Sequence, residues 1–181
     1  MLVQNVRISF PDLFIARKQS DTAEVEKFAG TFLIPAGSAL EKQIDAACLA
    51  AAEKKWPGKG AQVIKSIAGN NMRYCFRPEG EKDYQGYEGN RFFKATNTSR
   101  PTVLDRDKAP LVQADGKPYS GCYVNASVEF YAYDNNGKGI AATLKGVQFF
   151  KDGDAFTGGG VASPDDFDDL STEGEETHDF A

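Results

Sequence analysis

The chain has 181 residues, a formal charge of −5 and 12% aromatic residues, a composition that suits one domain with elaborations and a sizeable core. No run of 18 apolar residues occurs, which excludes a membrane-spanning helix. The single histidine, His178, lies near the C-terminus and no Walker-type loop is present, which excludes histidine-assisted nucleophiles in the body and P-loop chemistry.

In chain order, "VRISF" alternates with period two and predicts a half-buried strand, with Val6, Ile8 and Phe10 facing inward. The opening "MLVQNVRISF" lacks the basic-then-apolar layout of a signal peptide, so a cytoplasmic location is expected. The segment "PDLFIARKQSDTAE", with Arg17 and Lys18, reads as a polar connection. A second strand follows in "EVEKFAGTFLIP", where Phe28, Phe32 and Ile34 share a face.

In "SALEKQIDAACLAAAEKKW", Ser38 and Glu41 have capping-box spacing, and Leu40, Ile44, Ala47, Cys48 and Ala51 form one apolar stripe. Pro57-Gly58 ends this helix, and "GAQVIKSIAG" predicts a shorter one. Together they make a helical insertion over about 38–68, assigned to packing and given no ligand. A short strand, a Gly-rich loop and the strand "RFFKATNTS" are expected between residues 72 and 101.

The strongest strand is "GCYVNASVEFYAY". Cys122, Val124, Ala126, Val128, Phe130 and Ala132 point in, while Tyr123, Asn125, Ser127, Glu129, Tyr131 and Tyr133 point out. "DNNGKG" carries the Asn-Gly signal of a tight hairpin, and "IAATLKGVQFF" alternates until a phase slip near Gly146 that predicts a bulge. The three cysteines, Cys48, Cys75 and Cys122, are 27 and 47 residues apart, fit no zinc pattern and read as buried free thiols. "GGG" at Gly158 to Gly160 lacks the strand-to-helix context of a phosphate cradle.

Charge is unevenly placed. All 21 basic residues precede Ser163 together with 18 of the 26 carboxylates, so the body is +3 and Pro164 to Ala181 is −8. Asp152, Asp154, Asp165 and Asp166 read as solvated charge, and no metal, nucleotide or other cofactor is expected. Binding chemistry is better supplied. Cations neutralise phosphates and release counterions, and aromatic faces stack bases without demanding a sequence. Residues 72–101 interleave the two, and the outer tyrosines of the strongest strand add a platform. The expected contacts are Arg73, Tyr74, Arg77, Arg91, Phe93, Lys94, Arg100, Tyr123, Tyr131, Tyr133, Lys138 and Lys145.

Each has a structural alternative. Phe92 or Phe93, whichever points inward, belongs to the core; Tyr84 and Tyr87 could only pin the loop; the outer tyrosines could form a subunit interface in a homo-oligomer. The set as a whole favours single strands, because a duplex hides its base faces. A virion structural or assembly protein is the other reading, and a metal-dependent nuclease a more distant one.

The runs "GYEGNRFFKATNTSRPTVLDRD" and "YSGCYVNASVEFYAYDNNGKGIAATLKGVQFFKDGDAF" resemble a family of phage single-stranded DNA-binding proteins long catalogued as a domain of unknown function. The resemblance covers most of the chain and is most specific from Tyr119 to Phe156. It implies a mainly β, OB-fold-like barrel that binds ssDNA during phage replication or recombination, without enzymatic activity. The expected organisation is an OB-fold-like domain over residues 1–160 and a disordered acidic tail over 161–181. Tails of phage and bacterial ssDNA-binding proteins are similar, ending in carboxylates and a terminal or near-terminal Phe. Here Asp165, Asp166, Asp168, Asp169, Glu175, Glu176, Asp179 and Phe180 are the expected partner-binding residues, with Ala181 after the Phe. Such a tail would compete for the DNA groove and recruit replication proteins.

Overall fold

The computed structural model describes residues 1–157, and the expected acidic tail over 161–181 lies outside the described residues. Strands β1 (Leu2–Lys18) and β2 (Glu26–Pro35) are followed by helices α1 (Ala39–Lys55) and α2 (Gly60–Ile67). Then come β3 (Phe76–Arg77), β4 (Asn90–Asn97), β5 (Thr102–Leu104), a 3-10 turn at Gln113–Asp115, β6 (Tyr123–Asp134) and β7 (Lys138–Lys151).

The sheet runs β3-β4-β2-β1-β6-β7-β5, and β7 returns to β4 through a parallel contact at Thr96 and Thr143. Five strands, β1, β2, β4, β7 and β6, therefore close on themselves, which removes the free edges an open sheet would expose. β3 and β5 are short additions alongside β4 and β7. The result is a mainly β, OB-fold-like barrel with two helices, as the sequence resemblance implies. No helix among the described residues is long and apolar enough to cross a membrane.

Period-two patterning builds the interior. Cys122, Val124, Ala126 and Val128 of the β6 segment are fully buried, as are Ile8, Phe32, Ile34, Phe93, Ala95 and Leu144 on the other barrel strands. At the β6–β7 turn, Asn136 and Gly137 take positive φ angles of 53° and 132°, the backbone that Asn-Gly adopts at little cost. The predicted bulge lies where the phase slips. Ser127 pairs with Gly146 and Val128 with Leu144, so Lys145 has no partner across the ladder.

α1 begins as its cap predicts, with the Ser38 hydroxyl accepting from the Glu41 N–H at 3.2 Å. Glu41 reaches back to the N–H of Gly37 at 2.6 Å, one residue before the cap. Ile44, Cys48 and Ala52 are buried against the barrel core. Glu53 accepts from the N–H groups of Gly58 and Gly60, at 2.8 and 2.9 Å, and so fixes the turn into α2. All three cysteines are free, with Cys48 and Cys122 buried and Cys75 partly so.

Two expectations for the N-terminal region are corrected. Phe10 does not continue the inward face of Val6 and Ile8: it is 56% exposed, with φ at +49°, while Ser9 is buried. The register shifts between Ser9 and Asp12, and this bulge turns Phe10 outward. The supposed polar connection is largely strand. β1 continues to Lys18, pairing Arg17 with Lys27 and Lys18 with Glu26. Pairing along β2 sustains a strand that local polarity does not advertise.

Candidate nucleic-acid interface

β4 places Phe93 and Ala95 in the core, so alternation puts Phe92, Lys94 and Thr96 on its outer face. A groove of about 310 Å³ lies over this face. Residues 71–75, Arg77 and Tyr133 line it together with Lys94, Thr96, Glu81 and Lys82. Lys94 makes no ion pair among the described residues, and burial holds its pKa below the ordinary lysine value despite the nearby Asp12. An exposed ammonium with no ion-pair partner among the described residues is open to an anion, and the pairing is charge-assisted when one arrives.

Tyr133 forms one wall. Its hydroxyl donates to the Met72 carbonyl at 3.3 Å, and its ring lies directly over Gly139 on β7. A side chain at Gly139 would run into the ring, so the bare glycine is what lets the tyrosine lie flat across the strand. Gly139→Ala is expected to push Tyr133 out of the wall and weaken oligonucleotide binding, with the loss checked by fluorescence anisotropy. Arg73 fastens the adjoining turn, donating to the carbonyls of Asn135, Asn136 and Gly137 at 3.0, 2.8 and 3.1 Å.

On its other side the groove meets the Gly-rich loop, and Lys82 lines both. Rings follow one another edge to face from this loop into the protein. Phe10 and Tyr84 have centroids 5.3 Å apart, Tyr84 and Tyr87 5.3 Å, and Tyr87 and Phe92 5.1 Å. Tyr87 and Phe92 are buried with Leu33, whereas Phe10 and Tyr84 stand 56% and 49% exposed. Two half-exposed rings, with the Lys82 ammonium 5.9 Å from the Tyr84 ring centroid, suit base stacking, and Phe10 was missed by the strand pattern. Its signal was Pro11, which supplies no ladder donor and makes a bulge there cheap.

The other expected contacts are dispersed. Phe93 is fully buried and Tyr74 is 5% exposed, so both belong to the core, and burial pushes the Tyr74 hydroxyl well above the ordinary tyrosine range. Arg77 is also buried: it grips Glu81 with Nε and Nη2 at 2.8 and 2.6 Å and donates to the carbonyls of Ala68 and Tyr74. Arg91 donates to Glu41 at 3.2 Å and Asp45 at 3.1 Å, with its guanidinium 3.6 Å from the Phe76 ring centroid. These four residues are packed or ion-paired within the protein, which gives them structural roles in the frame.

Elsewhere, Tyr123 stacks with Lys151 at 4.5 Å and Arg7 at 5.6 Å. Arg100 lies 5.6 Å from the Phe14 ring, and Lys145 pairs with Glu129. Tyr131 is 43% exposed, 6.2 Å from the Tyr133 ring, and Lys138 lies 5.3 Å from the Trp56 ring. The structure thus brings together Arg73, Lys94 and Tyr133, with Tyr131 beside them. No cluster of three or more His, Cys, Asp or Glu residues among the described residues could hold a metal ion.

Comparison with known proteins agrees with this fold. A family described as the ssDNA-binding protein of Enterobacter phage Enc34 matches residues 1–181. A protein designated p50, from Acyrthosiphon pisum secondary endosymbiont phage 1, is 51% identical over 176 residues, covering 96% of this chain and 95% of p50. The ssDNA-binding protein of bacteriophage Enc34, solved in complex with ssDNA, superposes with a TM-score of 0.70 at 26% identity, over 86% of this chain and 88% of that one. An ssDNA-binding protein encoded by bacteriophage T7 shares the fold, with a TM-score of 0.52 at 16% identity, over 100% of this chain and 98% of that one. The chain therefore belongs to the Enc34 family of phage single-stranded DNA-binding proteins.

Proposed function

We propose that this protein binds single-stranded DNA without sequence preference, in the groove over the outer face of β4, during phage replication or recombination. The observation that carries the reading is the meeting of unpaired Lys94 and Lys82 with the fixed ring of Tyr133 in one groove of the barrel. Ammonium groups hold phosphates while the ring accepts any base, a pairing that gives affinity without sequence readout. Solution of an Enc34 relative in complex with ssDNA supports the same ligand.

The −8 segment beyond Ser163 is the second part of the proposal. Asp165, Asp166, Asp168, Asp169, Glu175, Glu176 and Asp179 offer the groove a tethered polyanion, and Phe180 offers replication proteins an apolar anchor. The path of the chain favours this. Thr157 donates its N–H to Gln85 at 3.1 Å, so the last described residue lies beside the loop that borders the groove. A tether attached there has a high effective concentration at the groove. DNA displaces it, and the freed tail recruits partners.

The test is anisotropy of labelled single-stranded and duplex DNA across a salt series, with the full chain and a truncation ending at Ser163. Preference for single strands is expected, with tighter binding by the truncation at low salt and convergence as salt rises. Equal affinity of the two proteins at low salt would remove the competing tail, and absence of binding by both would remove the DNA reading.

A further inference from the structure

The helical insertion carries chemistry that packing does not explain. α1 ends in Lys54 and Lys55, both exposed, followed by Trp56, whose ring is partly buried against the core. From the hairpin, the exposed Lys138 reaches to 5.3 Å from the Trp56 ring centroid. A second depression of about 310 Å³ separates the end of α1 from β6, with Lys54, Lys55 and Tyr131 in its lining. Lysines in a last helical turn also favour the helix dipole, but that role calls for no half-exposed tyrosine beside them and says nothing of Lys138.

The charges here are free for a ligand. None of the three lysines forms an ion pair among the described residues. Two neighbouring carboxylates are engaged: Glu129 holds Lys145, and Glu53 caps the turn into α2, while Asp134, across the ladder from Lys138, makes no ion pair among the described residues. The surface also runs on from the groove. Tyr131 and Tyr133 are alternate outward residues of β6 with ring centroids 6.2 Å apart, and Tyr133 is the groove wall.

We propose that Lys54, Lys55, Trp56, Tyr131 and Lys138 form a second subsite for single-stranded DNA, reached only by strands long enough to leave the groove past Tyr133. The proposal rests on the ssDNA reading of the groove. Phosphates engage the three ammonium groups, drawing Lys138 off the indole, and an unpaired base takes its place against Trp56 or Tyr131. Bare bases and a regular spacing of anions are what interleaved rings and lysines fit, so the occupant is a single strand rather than a duplex.

Trp56 is the only tryptophan in the chain, so emission excited selectively from tryptophan, clear of the tyrosines, reports on this surface. Full-length protein is titrated with an oligothymidylate length series, following emission and the anisotropy of a terminal label together. Short strands are expected to bind without altering emission, and longer strands to bind more tightly and quench it. The variant Lys54→Gln/Lys55→Gln/Lys138→Gln is expected to keep the wild-type affinity for short strands and lose the gain with length. Its log–log salt slope for long strands should be shallower by about 2, at about 0.7 per phosphate contact.

Anisotropy that reports tight binding at every length with unchanged emission would overturn the subsite while leaving the groove intact. So would quenching that is as strong with the shortest strands, or a variant that matches wild type at all lengths. A change in emission on deleting residues 164–181, with no response to DNA, would assign the surface to the acidic tail instead. Absence of any anisotropy change would overturn the groove reading and this proposal together.

Discussion

Tyr133→Ala is expected to weaken binding of a short oligothymidylate by about 5- to 150-fold, the range set by roughly 1–3 kcal/mol for one base–aromatic stack. The ring is held by a hydrogen bond to Met72 and by its seat on Gly139, so little freedom is lost when a base lands on it. Its removal leaves the Met72 carbonyl on an open groove rim, where water replaces the lost bond, and the barrel should stay folded. Lys94→Gln should behave differently, reducing the log–log salt slope by about 0.7, whereas Tyr133→Ala leaves the slope alone. That contrast assigns each residue its partner, ring to base and ammonium to phosphate. Anisotropy titrations at several salt concentrations check both, and a Tyr133→Ala protein that binds like wild type would move the strand off the β4 face.

Features specified by neighbouring residues were legible in the sequence. The inward face of β6, the Asn136-Gly137 turn, the Ser38 cap and the bulge beside Gly146 each depend on a few consecutive side chains, and each lies where the pattern places it. Features specified by distant partners were not. Strand β1 runs on to Lys18 because β2 pairs with it, and no local signal marks Arg17 as a ladder residue. Cations were the hardest to read. Arg91 looks like a free charge among aromatics, yet its carboxylates arrive from α1, 46 and 50 residues away in sequence. Family resemblance indicates the barrel but cannot separate arginines that hold the frame from lysines left open at its surface. Burial and ion pairing make that separation.

Arg77→Ala shows what the separation predicts: a loss of about 3 kcal/mol in stability, with ssDNA affinity unchanged in the folded fraction. The guanidinium satisfies both oxygens of Glu81 and the carbonyls of Ala68 and Tyr74, joining the end of α2, the approach to β3 and the Gly-rich loop. Its loss leaves a partly buried carboxylate and two carbonyls without their donor, each worse off than before the arginine was there. In urea, the midpoint should fall by about 1 to 1.5 M at neutral pH. Acid changes the comparison in a definite direction. The hydrogen bonds from Arg77 hold Glu81 below its ordinary value of 4.5, so the folded protein binds that proton less readily than the unfolded chain. The pair's contribution is therefore complete above about pH 4.5 and is lost as pH falls through the lowered folded value. The gap between wild type and Arg77→Ala should narrow over that window. Arg77→Lys should recover little, since an ammonium cannot span a carboxylate and two carbonyls set in different directions. A variant as stable as wild type but weakened in DNA binding would return Arg77 to the contact surface, and with it the view that the arginines of this segment face the strand.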